Sequence, residues 1–351
     1  MPKFKIQHDV ELSGLTTMKI GGKAQYFVEA TKVAQLQEIF AWIKKEKLDY
    51  LILSGGSNTI FGDGYFKGVV VLINIKGFEV VEDQKDFAII KIASGEGWDE
   101  AVAKTIELGL AGMEALSGIP GKTGAAPYQN IGAYGQEIKD TLQQVEVFDT
   151  ESMEISYLSN TDCEFGYRDS IFKSSQKGRY IITQVYFKLS KAKPGVPDYK
   201  DVRKYFEERK ISDPSLVEIR QAILEIRRHK FVDPSIMPNS GSFFKNPVVE
   251  ANEAEKLMKL YPEIKPFPQD NKIFPTPDGK YKVAAGWLIQ ELGFKGKDFG
   301  KVRVDPSHAL VLENKDHATQ TELLELVDKI RQAAKDKFGI DLEPEPVIVK
   351  F

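Results

Sequence analysis

Two hydrophobic periods alternate in the first part of the chain. Residues 25–30 read as a strand, Val33, Leu36, Ile39, Phe40 and Ile43 recur at helical spacing, and an apolar run covers 50–53. This pattern predicts a βαβ unit. Its second strand runs into Ser54-Gly55-Gly56-Ser57-Asn58, small residues that expose consecutive backbone N–H groups of the kind that hold a phosphate. Residues 69–73 and 88–92 are strand-like, and a helical segment at 99–108 stops near Gly109, which together read as the start of a second α/β unit. Further strands are expected at 145–148, 153–157 and 181–189. Residues 191–214, rich in Lys, Asp and Pro, read as an excursion or linker. Leu216, Ile219, Ile223 and Ile226 then mark an amphipathic helix, with a change of domain near residue 230. Helices are expected at 254–260 and 284–294. The last helix is the best marked: Thr319 and Glu322 form a capping box, Leu323, Leu324, Val327 and Ile330 give the buried stripe, and Gly339 stops it. The closing VIVKF reads as a strand returning to the first unit's sheet.

Residues 117–135, SGIPGKTGAAPYQNIGAYG, hold five glycines and two prolines with no amphipathic period. Such a stretch is expected to be a long ordered loop whose backbone approaches something closely. Its polar side chains are few, so main-chain amides must do much of any binding.

Composition narrows the classes. The chain has 351 residues, 42% of them hydrophobic, enough for two or three compact units. A formal charge of −3 gives no general field for nucleic acid, so an anion site must be local. A single cysteine, Cys163, excludes an intrachain disulfide framework, and four scattered histidines predict no metal site. Without an apolar leader or a run of roughly 18 apolar residues, a cytoplasmic protein with no membrane partner is expected.

Several motifs invite chemistry and fail on inspection. Gly121-Lys122-Thr123 resembles the end of a P-loop, but Leu116 stands where that loop needs glycine, and Lys122 reads more simply as a solvated lysine. No glycine fingerprint opens a nicotinamide-binding helix. Ser242, in GSFFKNP at 241–247, has neither a nucleophile-elbow frame nor a neighbouring histidine base, and reads as a serine in a tight turn. Phe243 and Phe244 read as packing residues.

Together TTMKIGG (16–22), LSGGSN (53–58), the 117–135 loop, GYRDSIFK (166–173), GSFFKNP, AAGWLIQELGFKG (284–296), HALVLENK (308–315) and LEPE (342–345) resemble, in order and over nearly the whole chain, the UDP-N-acetylenolpyruvoylglucosamine reductases, the MurB-type flavoenzymes. YRDSIFK and the insertion before residue 230 resemble the larger subtype, in which a tyrosine-bearing loop covers the substrate.

The resemblance implies an α+β (mixed α/β) chain. It would have a two-subdomain FAD-binding fold of the vanillyl-alcohol-oxidase/PCMH type, 1–75 with 342–351 and 76–230, plus a C-terminal α/β substrate-binding domain at 231–341. FAD would lie on Gly55, Gly56, Ser57 and Asn58 of the first loop. On the second it would meet Ser117, Ile119, Pro120, Gly121, Gly124 and Ala125, then Gln129, Asn130, Gly132, Ala133, Tyr134 and Gly135. NADPH would reduce the flavin, and hydride would pass to the enolpyruvyl ether of a UDP-sugar, leaving an enolate-like intermediate. The family pattern assigns its stabilisation to Arg168, its protonation to Ser242 and polarisation to Glu345. Tyr167, Tyr199, Lys230, Lys245, Asn246 and His308 would contact the substrate. A monomer serving cell-wall biogenesis, cell shape and division is implied. Two other readings stay open: a related flavoprotein with another substrate, and a non-catalytic nucleotide-sugar-binding protein.

Overall fold

The computed structural model describes residues 4–262, 264–267 and 272–351. They divide into two compact units, neither continuous in sequence. The first comprises residues 4–11 with Lys23–Gly56 and Tyr65–Arg227; the second comprises Leu12–Gly22, Ser57–Gly64 and Arg228–Phe351.

The expected βαβ pattern forms in the first unit. Strands Lys23–Ala30 and Asp49–Leu53 flank Tyr65–Ile73 in parallel register, and Ile6–Glu11 adds an antiparallel edge. Helix Val33–Glu46 presents Leu36, Ile39, Phe40 and Ile43 to the core, the periodic positions of the sequence. Residues 69–73 therefore belong to this first sheet and do not begin a second α/β unit. The other sheet is wholly antiparallel, in the order Glu154–Ser159, Leu142–Asp149, Tyr180–Ser190, Phe87–Ala93, Phe78–Asp83. Helix Trp98–Glu107 buries Trp98, Ala101, Val102, Thr105 and Ile106, and the Trp98 indole N–H donates to the carbonyl of Leu116 at 3.0 Å, fixing the start of the glycine-rich loop. The supposed linker carries helix Lys200–Glu208, whose Val202 and Phe206, four residues apart, are buried with Ile219, Ala222 and Ile223 of helix Leu216–Lys230.

The second unit has a four-stranded antiparallel sheet, Asn239–Ser242, Val311–Asn314, Val302–Val304, Asp298–Phe299, with a three-stranded sheet beside it in sequence. Helices Ala251–Leu260, Ala285–Glu291 and Gln320–Phe338 supply its core with the two inserted segments, which contribute Met18, Ile20 and Ile60. Thr319 Oγ1 accepts from the N–H of Glu322 and Gly339 takes a left-handed φ of 70°, as the capping signals imply. The closing segment does not return to the first unit's sheet. Val347–Ile348 pairs in parallel with Thr59–Ile60 instead. The reason is local: the flanking N–H groups of Val347 and Val349 meet the carbonyls of Asn58 and Ile60, both at 2.9 Å.

Candidate active site

In the first unit two glycine-rich segments meet main chain to main chain. A Cβ on Gly55 would stand 2.9 Å from Cα of Gly121, so only glycines permit this approach. Among the described residues, the N–H groups of Gly55, Gly56, Ile119 and Gly121 meet no protein acceptor. Pro120 lies between the last two of these. The hydroxyls of Ser54 and Ser94 are buried without partners among the described residues. Polar groups so placed cost free energy unless a ligand satisfies them. Lys122, read above as solvated, is partly buried and donates to Oδ1 of Asn74 at 2.9 Å. Burial and the neighbouring Lys76 hold its pKa below the usual lysine value.

The remainder of the second loop is held by its own polar atoms. Ser117 is buried and its hydroxyl donates to the carbonyl of Glu114 at 2.7 Å. Gly124 and Ala125 lie in a 3-10 turn, where the Gly124 N–H donates to the Ser94 carbonyl at 2.9 Å, and Gln129 closes the next turn. Gly132–Ala133 pairs with Gln136–Glu137, and Tyr134 and Gly135 link them with φ of 49° and 89°, the double positive geometry of a tight hairpin. Tyr134 accepts the strain because its ring is buried edge-on to Tyr199, centroids 5.3 Å apart. Burial pushes its hydroxyl up to about 12, against the pull of Arg227.

The turn carrying Tyr167 and Arg168 is fastened alongside this loop. Asn130, fully buried, donates its amide to the carbonyls of Gly166 and to Glu137, each at 2.9 Å. Ser170 Oγ donates to the Tyr128 carbonyl at 2.6 Å. Arg168 Nη2 donates to the Gly132 carbonyl at 3.0 Å, and its guanidinium lies 5.4 Å from the centroid of Tyr167. Arg168 itself sits at φ 54°, a conformation that non-glycine residues adopt only where the surroundings over-determine it. Tyr199, partly buried, precedes helix Lys200–Glu208.

Sequence reasoning missed the anchor of this loop. Arg220 grips both carboxylate oxygens of Asp99 at 2.6 and 2.8 Å, and Asp99 Oδ1 also accepts the N–H of Gly118 at 2.6 Å. Arg227 Nε donates to the Gly118 carbonyl at 3.0 Å. Burial alone would raise the Asp99 carboxyl; the bonds from Arg220 and Gly118 overcome it and hold the group below its ordinary value. A pair 121 residues apart leaves no signal in a single sequence.

In the second unit Ser242 ends a strand; it is not in a tight turn. It lies opposite Val311, whereas Asn239 lies opposite Glu313, so two intervening residues, Ser240 and Gly241, answer to the single Leu312 on the other strand. Gly241, at φ 71°, makes this bulge, and Asn239 Oδ1 accepts its N–H at 2.9 Å. Phe243 and Phe244 are buried, as the packing reading held. The N–H of Glu345 donates to the Phe243 carbonyl at 2.8 Å, and the N–H of Lys245 to that of Glu343 at 2.9 Å. LEPE is thereby bridged to GSFFKNP, with the Glu345 main chain bonded to the residue after Ser242. The intervening Pro346 costs this arrangement no bond, since Glu345 and Val347 are the donors. Asn58 Nδ2 donates to the Glu345 carbonyl at 3.3 Å, and the carbonyl of Ser57 accepts from Thr17 Oγ1 at 3.3 Å. Lys245 pairs with Glu343 at 2.6 Å. Asn246 Oδ1 accepts the N–H of Ala285 at 3.0 Å, capping helix Ala285–Glu291. His308 packs on Phe231, centroids 4.9 Å apart, and burial with nearby Lys230 pushes it down to about 4, so it is neutral at pH 7. Among the described residues no group of acidic, histidine or cysteine side chains is arranged to hold a metal, and no helix is long and apolar enough to cross a membrane.

Comparison with known proteins gives the class first. The FAD binding domain family matches residues 24–155, and the chain shares its fold with 6-hydroxy-D-nicotine oxidase from Arthrobacter nicotinovorans (TM-score 0.54, 11% identity, 97% of this chain and 87% of that one). This is the FAD-binding fold of the PCMH type. The UDP-N-acetylenolpyruvoylglucosamine reductase C-terminal domain family matches residues 233–349. Reductases of that name from Flavobacterium johnsoniae and Dechloromonas aromatica are 37% and 39% identical, covering 99% and 97% of this chain and 100% and 98% of theirs. The Thermus caldophilus reductase structure shares the fold over 99% of both chains (TM-score 0.67, 21% identity). The chain belongs to the UDP-N-acetylenolpyruvoylglucosamine reductases, FAD-dependent oxidoreductases of peptidoglycan synthesis with NADPH as reductant. The first unit fits FAD, because its bare loop amides and partnerless serine hydroxyls are what the pyrophosphate of a dinucleotide satisfies.

Proposed function

We propose that the substrate is UDP-N-acetylglucosamine enolpyruvate and the product UDP-N-acetylmuramate, and that Arg168, Ser242 and Glu345 carry the chemistry. Bound FAD, recharged by NADPH, supplies the hydride. Addition of hydride to the enolpyruvyl methylene leaves carbanion character next to the substrate carboxylate. A fixed guanidinium stabilises that charge, and the over-determined backbone and carbonyl tether of Arg168 support this role. Ser242 gives the proton; a hydroxyl is a weak acid in water, but a carbanion is a strong base.

The observation that carries the reading is the Glu345 N–H to Phe243 carbonyl bond, which supports Glu345 as a partner of the adjacent Ser242. The neutral His308 with Lys230, and the Lys245 and Asn246 side chains, are read as nucleotide-sugar contacts, and Tyr167 and Tyr199 are read as substrate contacts as well. The FAD half is assigned to the first unit and the UDP-sugar half to the second, which takes Leu12–Gly22, Ser57–Gly64 and 342–351 out of the FAD half in which the sequence reading puts them. The enzyme is further read as a cytoplasmic monomer serving cell shape and division.

The test is anaerobic: NADPH should bleach the flavin, and the enolpyruvyl UDP-sugar should restore its colour. Reoxidation no faster than without that sugar would remove the substrate assignment.

A further inference from the structure

Glu313 occupies the centre of a polar row across the four-stranded sheet of the second unit, opposite Asn239 on one side and Arg303 on the other. Its side chain is fully buried. One carboxyl oxygen accepts from Arg303 Nε, while the other, Oε1, has no N–H or hydroxyl donor among the described residues. Asp305, just beyond strand Val302–Val304, is almost as deeply buried. Its Oδ1 accepts from the N–H and hydroxyl of Ser307 at 2.6 and 2.5 Å and from the N–H of His308 at 2.6 Å. Its Oδ2 also lacks a donor.

Two buried carboxyl oxygens with no donor among the described residues, on neighbouring segments, are costly if left bare, and two ionised carboxylates would face one guanidinium. One proton removes both problems. It converts one acid into a donor for the other and leaves a single negative charge balanced by Arg303.

We propose that Glu313 is protonated at neutral pH and donates to Oδ2 of Asp305, and that this acid pair is a positioning device for the 305–308 turn that carries His308. Burial raises the Glu313 carboxyl, with Asp305 adding to it and Arg303 opposing. Burial would raise Asp305 as well, but its bonds to Ser307, Glu313 and the His308 N–H hold it low. Asp305, whose Oδ1 already accepts three hydrogen bonds, is the better anion of the two, and this geometry places the proposed proton on Glu313. The charged groups around the pair are Arg303 from the neighbouring strand, Asp298 and its partner Lys315 further along the sheet, and His308 with Lys230 and Lys295 on the turn side. Asn239 and Ser240 are uncharged. The effect on His308 rests on the reading of that residue as a substrate contact.

Infrared spectroscopy of the holoenzyme at pH 7 is expected to show a protonated carboxyl band that is absent in Glu313→Gln. Gln keeps a donor toward Asp305, so the variant should retain the wild-type KM for the UDP-sugar at neutral pH while losing the rise in KM that deprotonation of Glu313 brings at alkaline pH. Rate of flavin reduction by NADPH should be unchanged. Should Glu313→Gln not fold, Asp305→Asn tests the same point, since its amide can donate to Glu313 and the band should again vanish. A band that is missing in the wild type or persists in the variant overturns the proposal, as does an identical alkaline KM profile. If the UDP-sugar proved not to be the substrate, the infrared result would still decide the shared proton.

Discussion

Glu345 and Phe243 are joined by a 2.8 Å main-chain hydrogen bond, which holds a glutamate two residues before the last short strand against the residue that follows Ser242. The bond separates aim from chemistry, because the backbone fixes where Glu345 lies whatever its side chain does. Ser242→Ala is expected to leave NADPH reduction of the flavin nearly intact and to slow substrate reduction by ~10²–10⁴-fold, the range for a lost general acid. Stopped-flow measurement of the two half-reactions checks this; equal losses in both would argue against a proton-donor role. Glu345→Gln should fold as the wild type and lose rate only in the second half-reaction.

Gly55 and Gly121 approach so closely that a methyl group has nowhere to go. Gly55→Ala is expected to force the loops apart, at about 1–3 kcal/mol by analogy with overpacking, and to lower the flavin content of the purified protein. Gly14→Ala, with open space at its Cβ and no positive φ, is the control. Flavin absorbance per chain reads both, and equal occupancy would show that the close approach is not needed.

The Asp99 and Arg220 pair fastens Gly118 and should do so in a pH-dependent way. The folded carboxyl titrates below its ordinary value, so its contribution is present above the unfolded value of about 3.9 and is lost as pH falls toward and through the folded one. Discounted for partial exposure, Asp99→Asn is expected to cost ~1–2 kcal/mol at pH 7 and much less in acid. Urea unfolding at neutral pH and at about pH 2 measures it; the same loss at both would contradict the linkage.

Cys163 is fully buried, and burial, helped by Asp162, pushes its thiol up to about 12. The native protein should therefore be inert to a thiol reagent at neutral pH and should titrate one thiol after denaturation. Rapid labelling without unfolding would be the contrary result.

Helices were legible where local signals agreed. Val33–Glu46 follows its apolar period, and Thr319 and Gly339 bracket the last helix as their chemistry demands. Helix Lys200–Glu208 was not, because its two buried positions are outnumbered by Lys, Asp and Glu in a stretch punctuated by proline. Strand partners were hidden for a different reason: Val347–Ile348 finds Thr59–Ile60 through hydrogen bonds that no periodicity encodes. The strand at Ser242 was obscured by the bulge at Gly241, which breaks the alternation on which strand reading depends. The candidate site residues were named from their types and motifs, while the contacts that hold their loops, Asp99 with Arg220 or Asn130 with Gly166, belong to tertiary structure.

The second unit's debt to early sequence has a consequence for its synthesis. Asn314 donates to the carbonyl of Met18 across 296 residues, and Gln320 to that of Ile60 across 260. A nascent chain emerging from the ribosome must carry those first segments without their partners until almost all of it has been translated. Contacts so distant are slow to form, because long loops must close before they are rewarded. A fragment beginning at residue 228 would lack Met18, Ile20 and Ile60 from its core, so this unit is a product of the finished chain and is not a module that can be grafted elsewhere by cutting at one point.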